Sequence, residues 1–252
     1  SMETVLSNVG NAAFNDPFYG WIDNEQIYFA DRNTGIRRIG VNERNLALST
    51  SDAKYDYFVQ NNRLEYYGNP WQYGAMNACF AKADGLWYWG KTYGGGGIFR
   101  FAESDISPVD ISRGTNPPYA TIFPDEFVKS FVIDATNQIL YAVIRDKGLY
   151  AVPLTDITAN DATKTNTKAE SKYLVASFKS DSEGSVGEYV DVCQMVLDNS
   201  DGSVYFGLRA EEGSSETSGV KRWNPTTKKL ETIVSGVNVY GIALNNELSN
   251  LF

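Results

Sequence analysis

Histidine is missing from all 252 residues. Its absence removes Ser-His-Asp triads, Cys-His dyads, HExxH zinc sites and any imidazole pH switch together. Cysteine is nearly missing too. Cys79 and Cys193 are too few for a disulfide scaffold and too far apart for a CxxC metal or redox pair. Two buried free thiols are expected, and one disulfide stays open if the chain is secreted. No run of 18 apolar residues occurs, so membrane insertion is not expected. Basic charge is in deficit, with 22 Lys and Arg against 31 Asp and Glu and a net charge of −9. Such a chain repels a phosphate backbone, and nucleic acid is not an expected partner. No Asn-X-Ser/Thr acceptor is present, so N-glycosylation is not signalled.

The first residues, Ser1-Met2-Glu3-Thr4, lack the basic and then apolar pattern of a secretory signal. Ser1-Met2 reads as a remnant of cloning. The expectation is a secreted or otherwise extracytoplasmic protein whose signal has been removed upstream.

What is present is core material: 42% hydrophobic residues, 13% of the chain aromatic, and only 21% charged. That balance belongs to a folded chain rather than a disordered one. Helical periodicity is scarce, whereas short β-branched and aromatic runs broken by Gly, Asn and Asp recur throughout, which makes the class all-β. A hairpin phrase repeats: an apolar stretch, a polar turn, an aromatic-rich strand. Its clearest copies are 21–29, 131–141 and 195–206, and weaker ones are 58–67, 81–89 and 243–252. After four of them comes a strand opening on glycine, at Gly35, Gly97, Gly148 and Gly219. A polar fourth strand follows in places, such as Leu46-Ala47-Leu48-Ser49 or Leu230-Glu231-Thr232-Ile233-Val234.

Four strands of this kind make one blade of a β-propeller. The length divides into six units of about 42 residues or five of about 50, in the range of known propeller repeats. A single domain over 1–252 with five or six blades, six preferred, is therefore expected. The spacing is uneven, because Tyr66 and Tyr88 are only 22 residues apart. Either the stretch from Tyr55 to Tyr67 is no independent blade or that blade is abbreviated. The last phrase lacks outer strands, which Thr4-Val5-Leu6-Ser7 would supply, closing the ring with strands from both termini and leaving no open edge. The polar stretch from Asp156 to Ser171 reads as a surface loop inside a blade.

Gly85-Leu86-Trp87-Tyr88-Trp89-Gly90-Lys91-Thr92 fits the phosphate-loop pattern GxxxxGK[ST] by letter. A phosphate cradle needs a flexible loop followed by a helix N-terminus. Three aromatics fill the loop positions here and no helix follows, so the reading is a strand running into a glycine-rich loop. Asp23, Asp134 and Asp198 share one turn position and read as acceptors for backbone amides two residues on.

The residues entering the inner strands bear more directly on function, because loops at one mouth of a propeller channel form its sites. Those positions hold Asp16 and Phe18, Tyr55, Asn77, Glu126 and Phe127, Glu188 and Tyr189, and Asn238 and Tyr240. Aromatic rings beside carboxylates suit an organic cation. Phe18, Tyr55, Glu126, Tyr189 and Tyr240 form the candidate ligand set, and an ordinary hydrated rim is the plain alternative.

From Lys129 onward the order of motifs resembles the royal jelly and yellow protein family. Leu140-Tyr141, Leu149-Tyr150-Ala151-Val152, Tyr205-Phe206-Gly207-Leu208, Trp223-Asn224 and Leu248-Ser249-Asn250 stand where that family has like strands. The resemblance implies a secreted six-bladed propeller with an amine pocket in its channel, in which Asn250 and Phe252 would contact the ligand. Residues 1–128 carry no such motif, and propellers like those of the low-density-lipoprotein receptor or of NHL repeats account for the blades equally well.

The leading functional reading is a monomeric, non-catalytic binding propeller without cofactor, holding a small cationic or aromatic ligand or a protein partner at the channel mouth. The alternative is a calcium-type lactonase or hydrolase, with Asn77, Glu126, Asp191 and Asn238 as metal ligands. A scaffold that uses the blade rims is the third.

Overall fold

A computed structural model of the chain describes residues 6–8, 17–31, 35–48, 56–59, 80–91, 97–105, 120–145, 147–157, 166–177, 190–210, 218–239 and 241–245. Numbered in chain order, β1 (Leu6–Asn8) and β5 (Leu46–Leu48) form a small parallel pair. Four larger sheets follow. The first blade runs β2 (Pro17–Asp23), β3 (Gln26–Asp31), β4 (Gly35–Gly40), β6 (Asp56–Val59). The second runs β7 (Phe80–Ala83), β8 (Leu86–Lys91), β9 (Gly97–Ala102), β10 (Ala120–Ile122). In the third the order is β11 (Val128–Asp134), β12 (Ile139–Ile144), β13 (Gly148–Pro153), β15 (Leu174–Ser177), and in the fourth β16 (Val190–Leu197), β17 (Val204–Ala210), β18 (Gly219–Asn224), β19 (Lys229–Ser235). Within each blade neighbouring strands are antiparallel. The two-residue strand β14 (Asn166–Thr167) leaves the third blade and adds in parallel to the outer edge of β10.

The protein is thus an all-β propeller with four blades among its described residues, where five or six were expected. The short step between Tyr66 and Tyr88 has its explanation in β6. Asp56–Val59, read as the start of another blade, is the outer strand of the first, paired with β4. Leu46–Leu48, read as that outer strand, pairs with Leu6–Asn8 instead, and most of the final phrase that the N-terminal strand was expected to complete lies outside the described residues. Residues 243–245, the described start of the final phrase, form no strand. A phrase becomes a blade only when four strands find ladder partners, and hydrophobic pattern alone does not guarantee them.

All four glycine-led segments form the third strand of a blade, and backbone geometry explains the glycine. Gly97 has φ +63°, and a Cβ there would collide with the carbonyl oxygens of Ile122 and Phe123. At Gly148 and Gly219 the oxygens of Ala176 and Val234, on the neighbouring outer strand, take the same space. Only a residue without a side chain lets the fourth strand come this close. Turn chemistry sets the first hairpins. Asn24 and Glu25 (φ 47° and 60°), and likewise Asp84 and Gly85 (φ 52° and 72°), have both central residues in the left-handed region that a tight two-residue hairpin needs.

In the second and third blades the central strands are buried on both faces, and alternate residues serve opposite neighbours. On β12, Leu140, Ala142 and Ile144 join Tyr88, Ile98 and Phe123 of the second blade. Tyr141 and Val143 turn the other way, to Met195, Phe206 and Leu208 of the fourth. On β8 the alternation gives Tyr88 to the third blade, while Trp87 lies 5.1 Å from Tyr28 and 6.2 Å from Trp21 of the first. The apparent phosphate loop is this strand, and its three aromatics are core.

Candidate functional site

In each blade the inner strand starts at the end where the second strand finishes and the third begins, and this end is the candidate mouth. In the third blade the approach is tightly tied. The Glu126 amide donates to Phe123 O (3.0 Å), that of Val128 to Glu126 O (3.1 Å) and that of Arg145 to Phe127 O (2.8 Å). These bonds hold the Glu126 side chain over the β12–β13 turn, where its Oε1 meets Lys147 Nζ at 2.5 Å. The neighbouring Phe127 is 38% exposed. Beneath the pair lies Tyr150, whose hydroxyl pKa is raised by burial; Lys147 opposes the rise and Glu126 adds to it. Phe123 meets the Tyr150 ring edge-on at 5.5 Å.

In the fourth blade Ser218 Oγ donates to Asn238 Oδ1 at 2.7 Å, and the Gly236 amide donates to Ser218 O at 2.7 Å. Asn238 is therefore anchored to its own blade. Glu126 and Asn238 each have a close partner, and no group of three His, Cys, Asp or Glu able to hold a metal ion exists among the described residues. Phe18 and Asp191 lie in strands β2 and β16. Tyr55, Asn77, Tyr189, Tyr240, Asn250 and Phe252 lie outside the described residues, as does Cys79, while Cys193 is in β16. Of the positions entering the inner strands, Glu126 and Phe127 lie side by side among the described residues at the start of the third blade. Glu126 is paired with Lys147, which sequence reasoning missed; the charged turn Arg145-Asp146-Lys147 ahead of a glycine-led strand was the available signal.

The opposite end carries the hairpin turns. Asp198 Oδ1 accepts from the Ser200 amide two residues on (2.9 Å), as expected, and Asp134 Oδ1 accepts within its turn from the Asn137 amide, three residues on rather than two (2.9 Å). Asp23 does something else, since its carboxylate reaches Lys82 of the second blade at 3.0 Å. Lys82 also meets Glu103 at 3.1 Å. Burial would lower the Lys82 pKa, but the two carboxylates outweigh it and the net shift is upward. Gln138 Nε2 donates to Asp84 Oδ2 at 2.9 Å, so turn side chains link the first blade to the second and the second to the third.

Geometry and sheet order define a β-propeller, and comparison with known proteins goes no further than that class. No family model and no curated protein matches the chain, so the resemblance to the royal jelly and yellow family gains no support. Among solved structures, a candidate 6-phosphogluconolactonase from Bacteroides uniformis is similar with a TM-score of 0.52 at 10% identity, over 93% of this chain and 62% of that one. A quinonprotein alcohol dehydrogenase-like protein from Bacteroides thetaiotaomicron gives a TM-score of 0.44 at 16% identity, over 86% of this chain and 47% of that one. An extracellular domain of a candidate hybrid two-component system from the same organism gives 0.48 at 14% identity, over 87% of this chain and 25% of that one. The chain spans less than two thirds of the length of each. No helix among the described residues is long and apolar enough to cross a membrane.

Proposed function

We propose that the protein is a non-catalytic binding propeller that takes a small organic cation with an aromatic group, the ligand seating at the mouth formed by Glu126, Phe127 and Lys147. The observation that carries this reading is the exposed Phe127 ring beside a carboxylate already paired with an ammonium. A cationic ligand replaces Lys147 Nζ on Glu126 and lays its apolar part on the phenyl ring. Tyr240 and Tyr189, which enter the same end in the sequence pattern, would extend the aromatic wall. Titration calorimetry with a panel of arylalkyl amines tests it. Saturable binding is expected, lost in Glu126→Ala and weakened in Tyr240→Ala. It should be tighter in Lys147→Met, where the competing ammonium is gone. Tighter binding by Lys147→Met is the discriminating result, because loss of a merely structural ion pair would not produce it. Absence of heat across the whole panel for the native protein sinks the small-cation reading and leaves a protein partner at this mouth.

The metal-dependent reading keeps a place because Glu126 is the same residue. It requires Lys147 to yield to a divalent ion, with Asn77, Asp191 and Asn238 converging. Elemental analysis of the purified protein after calcium loading separates the two: a stoichiometric ion lost in Glu126→Gln supports the enzyme reading.

A further inference from the structure

The four blades repeat one arrangement at their seams. Tyr28, Tyr88, Tyr141 and Tyr205 stand at the same place on the second strand, and the first three face the next blade. Tyr28 meets Trp87, Tyr88 joins the core shared with the third blade, and Tyr141 joins the core shared with the fourth. In three blades the third-strand residue paired with this tyrosine is arginine: Arg38, Arg100 and Arg222. Arg100 shows the use of the pair, since its guanidinium donates across the seam to Ile157 O of the third blade at 3.3 Å.

On the fourth blade the same face bears Tyr205, Arg222, Val220 and Val234. Arg222 is held in place by Asp201 at 2.6 Å, Ser203 at 3.1 Å and Glu231 at 3.4 Å, and lies 5.8 Å from the Tyr205 ring. Yet Tyr205 is only half-buried, whereas Tyr28, Tyr88 and Tyr141 are buried, and Val234 is 43% exposed. Ile233 and Val237 nearby are exposed as well.

The first blade is open on its opposite face. The residue pair before the turn faces the preceding blade, as Ile133 and Leu140 do in the third blade and Leu197 and Val204 in the fourth. Leu140 and Val204 are fully buried. Their counterparts in the first blade are Ile22, 70% exposed, and the half-buried Ile27. Ile39 on that face is covered, so the opening lies at the turn end. Inside the chain β11 packs beside β16, β7 and β8.

We propose that these two open faces are one interface, filled by a second copy of this chain. The Tyr205 and Arg222 face of one copy receives the Ile22 and Ile27 face of the other, and the reverse contact closes the pair. Continuity with the existing seams argues for this occupant. At the seam between the second and third blades the forward-facing Tyr88 and Arg100 meet the backward-facing aliphatic pair Ile133 and Leu140, and the open faces of the fourth and first blades present the same two halves. Such a two-fold arrangement buries both faces at once and leaves neither end of the blade stack open.

Sedimentation equilibrium of the full chain tests the proposal. A dimer of about twice the 28.0 kDa chain mass is expected. Ile22→Asp and Val234→Asp, both at exposed positions, should each weaken it at least about tenfold, as charges in the middle of an interface do. Val196 is the β16 partner of Tyr205 on that face, and mixing Ile22→Cys with Val196→Cys chains should yield a disulfide-linked heterodimer that neither variant forms alone. Circular dichroism confirms that the variants remain folded. A chain that stays monomeric across the concentration range overturns the proposal, as does a dimer indifferent to both aspartates, which would use another surface. A monomer whose β17–β19 amides resist hydrogen exchange also overturns it, by showing that the chain covers its own face.

Discussion

Strand β17 separates two surfaces made from consecutive residues. Val204, Phe206 and Leu208 face the third blade and are buried with Tyr141, Val143 and Leu149. Tyr205 faces the other way and is half-buried beside Arg222, Asp201 and Glu231. One seam is dry and apolar; the other face keeps ion pairs in contact with solvent. The contrast shows that period-two patterning assigns residues to faces, whereas the presence of a neighbouring sheet decides whether a face is core. It also fixes the energetic scale. A fully buried aromatic or aliphatic side chain contributes about 1.5–3 kcal/mol, and an exposed ion pair about 0–1 kcal/mol.

The largest expected effect tests the dry side. Phe206→Ala should destabilise the protein by about 3–5 kcal/mol in urea or thermal unfolding, by lost burial plus the cavity left behind, while Tyr205→Ala should cost well under half as much in the monomer. Equal losses would mean that the two faces of β17 are covered alike. Gly97→Ala comes next. It forces an alanine to φ +63° and drives its Cβ into the Ile122 and Phe123 carbonyls, so a loss above about 1 kcal/mol is expected, with the second blade's outer strand losing exchange protection first. Asp134→Ala follows, at about 1–3 kcal/mol, because the buried carboxylate satisfies the Asn137 amide and side chain of a turn that otherwise keeps unmade hydrogen bonds.

The smallest effect tests the wet side through pH. Burial alone would raise the Asp201 pKa, but hydrogen bonds from Ser203 and the Arg222 guanidinium carry it below its ordinary value. A carboxyl lowered by folding stabilises the native state above its unfolded pKa and loses that contribution as pH falls through the folded value. Native protein and Asp201→Asn should therefore differ by less than about 1 kcal/mol at neutral pH, with the gap closing below a pH of about 4. A gap that widens in acid would mean that Asp201 is not held by Arg222. In the dimer the same substitution should have a larger effect, since Arg222 is then taken out of solvent.

Much of the fold was legible because its signals are local. Gly97, Gly148 and Gly219 at the heads of their third strands report a backbone that cannot carry a Cβ, and Tyr28, Tyr88 and Tyr141 report the faces turned to the next blade. Asp134 and Asp198 were readable as turn residues because an aspartate bonds amides within its own turn. Asp23 was not, since its partner Lys82 lies 59 residues away and only blade packing brings them together. Glu126 was legible as a mouth residue from its place before an inner strand. That it holds Lys147 was not, because the pair spans 21 residues and depends on how the β12–β13 turn folds over the approach to β11.

The chain by itself determined an all-β blade repeat, the exclusion of histidine chemistry and the residues that alternate across each strand, because propensity, turn chemistry and period-two patterning act over a few residues. Tertiary structure alone decided that Asp56–Val59 closes the first blade rather than opening another, that Leu6–Asn8 pairs with Leu46–Leu48, and that one face of β17 is core while the other stays wet. Those outcomes depend on which strands find each other across dozens of residues. Ladder hydrogen bonds and shared apolar area set that choice, and neither exists until the sheets have assembled.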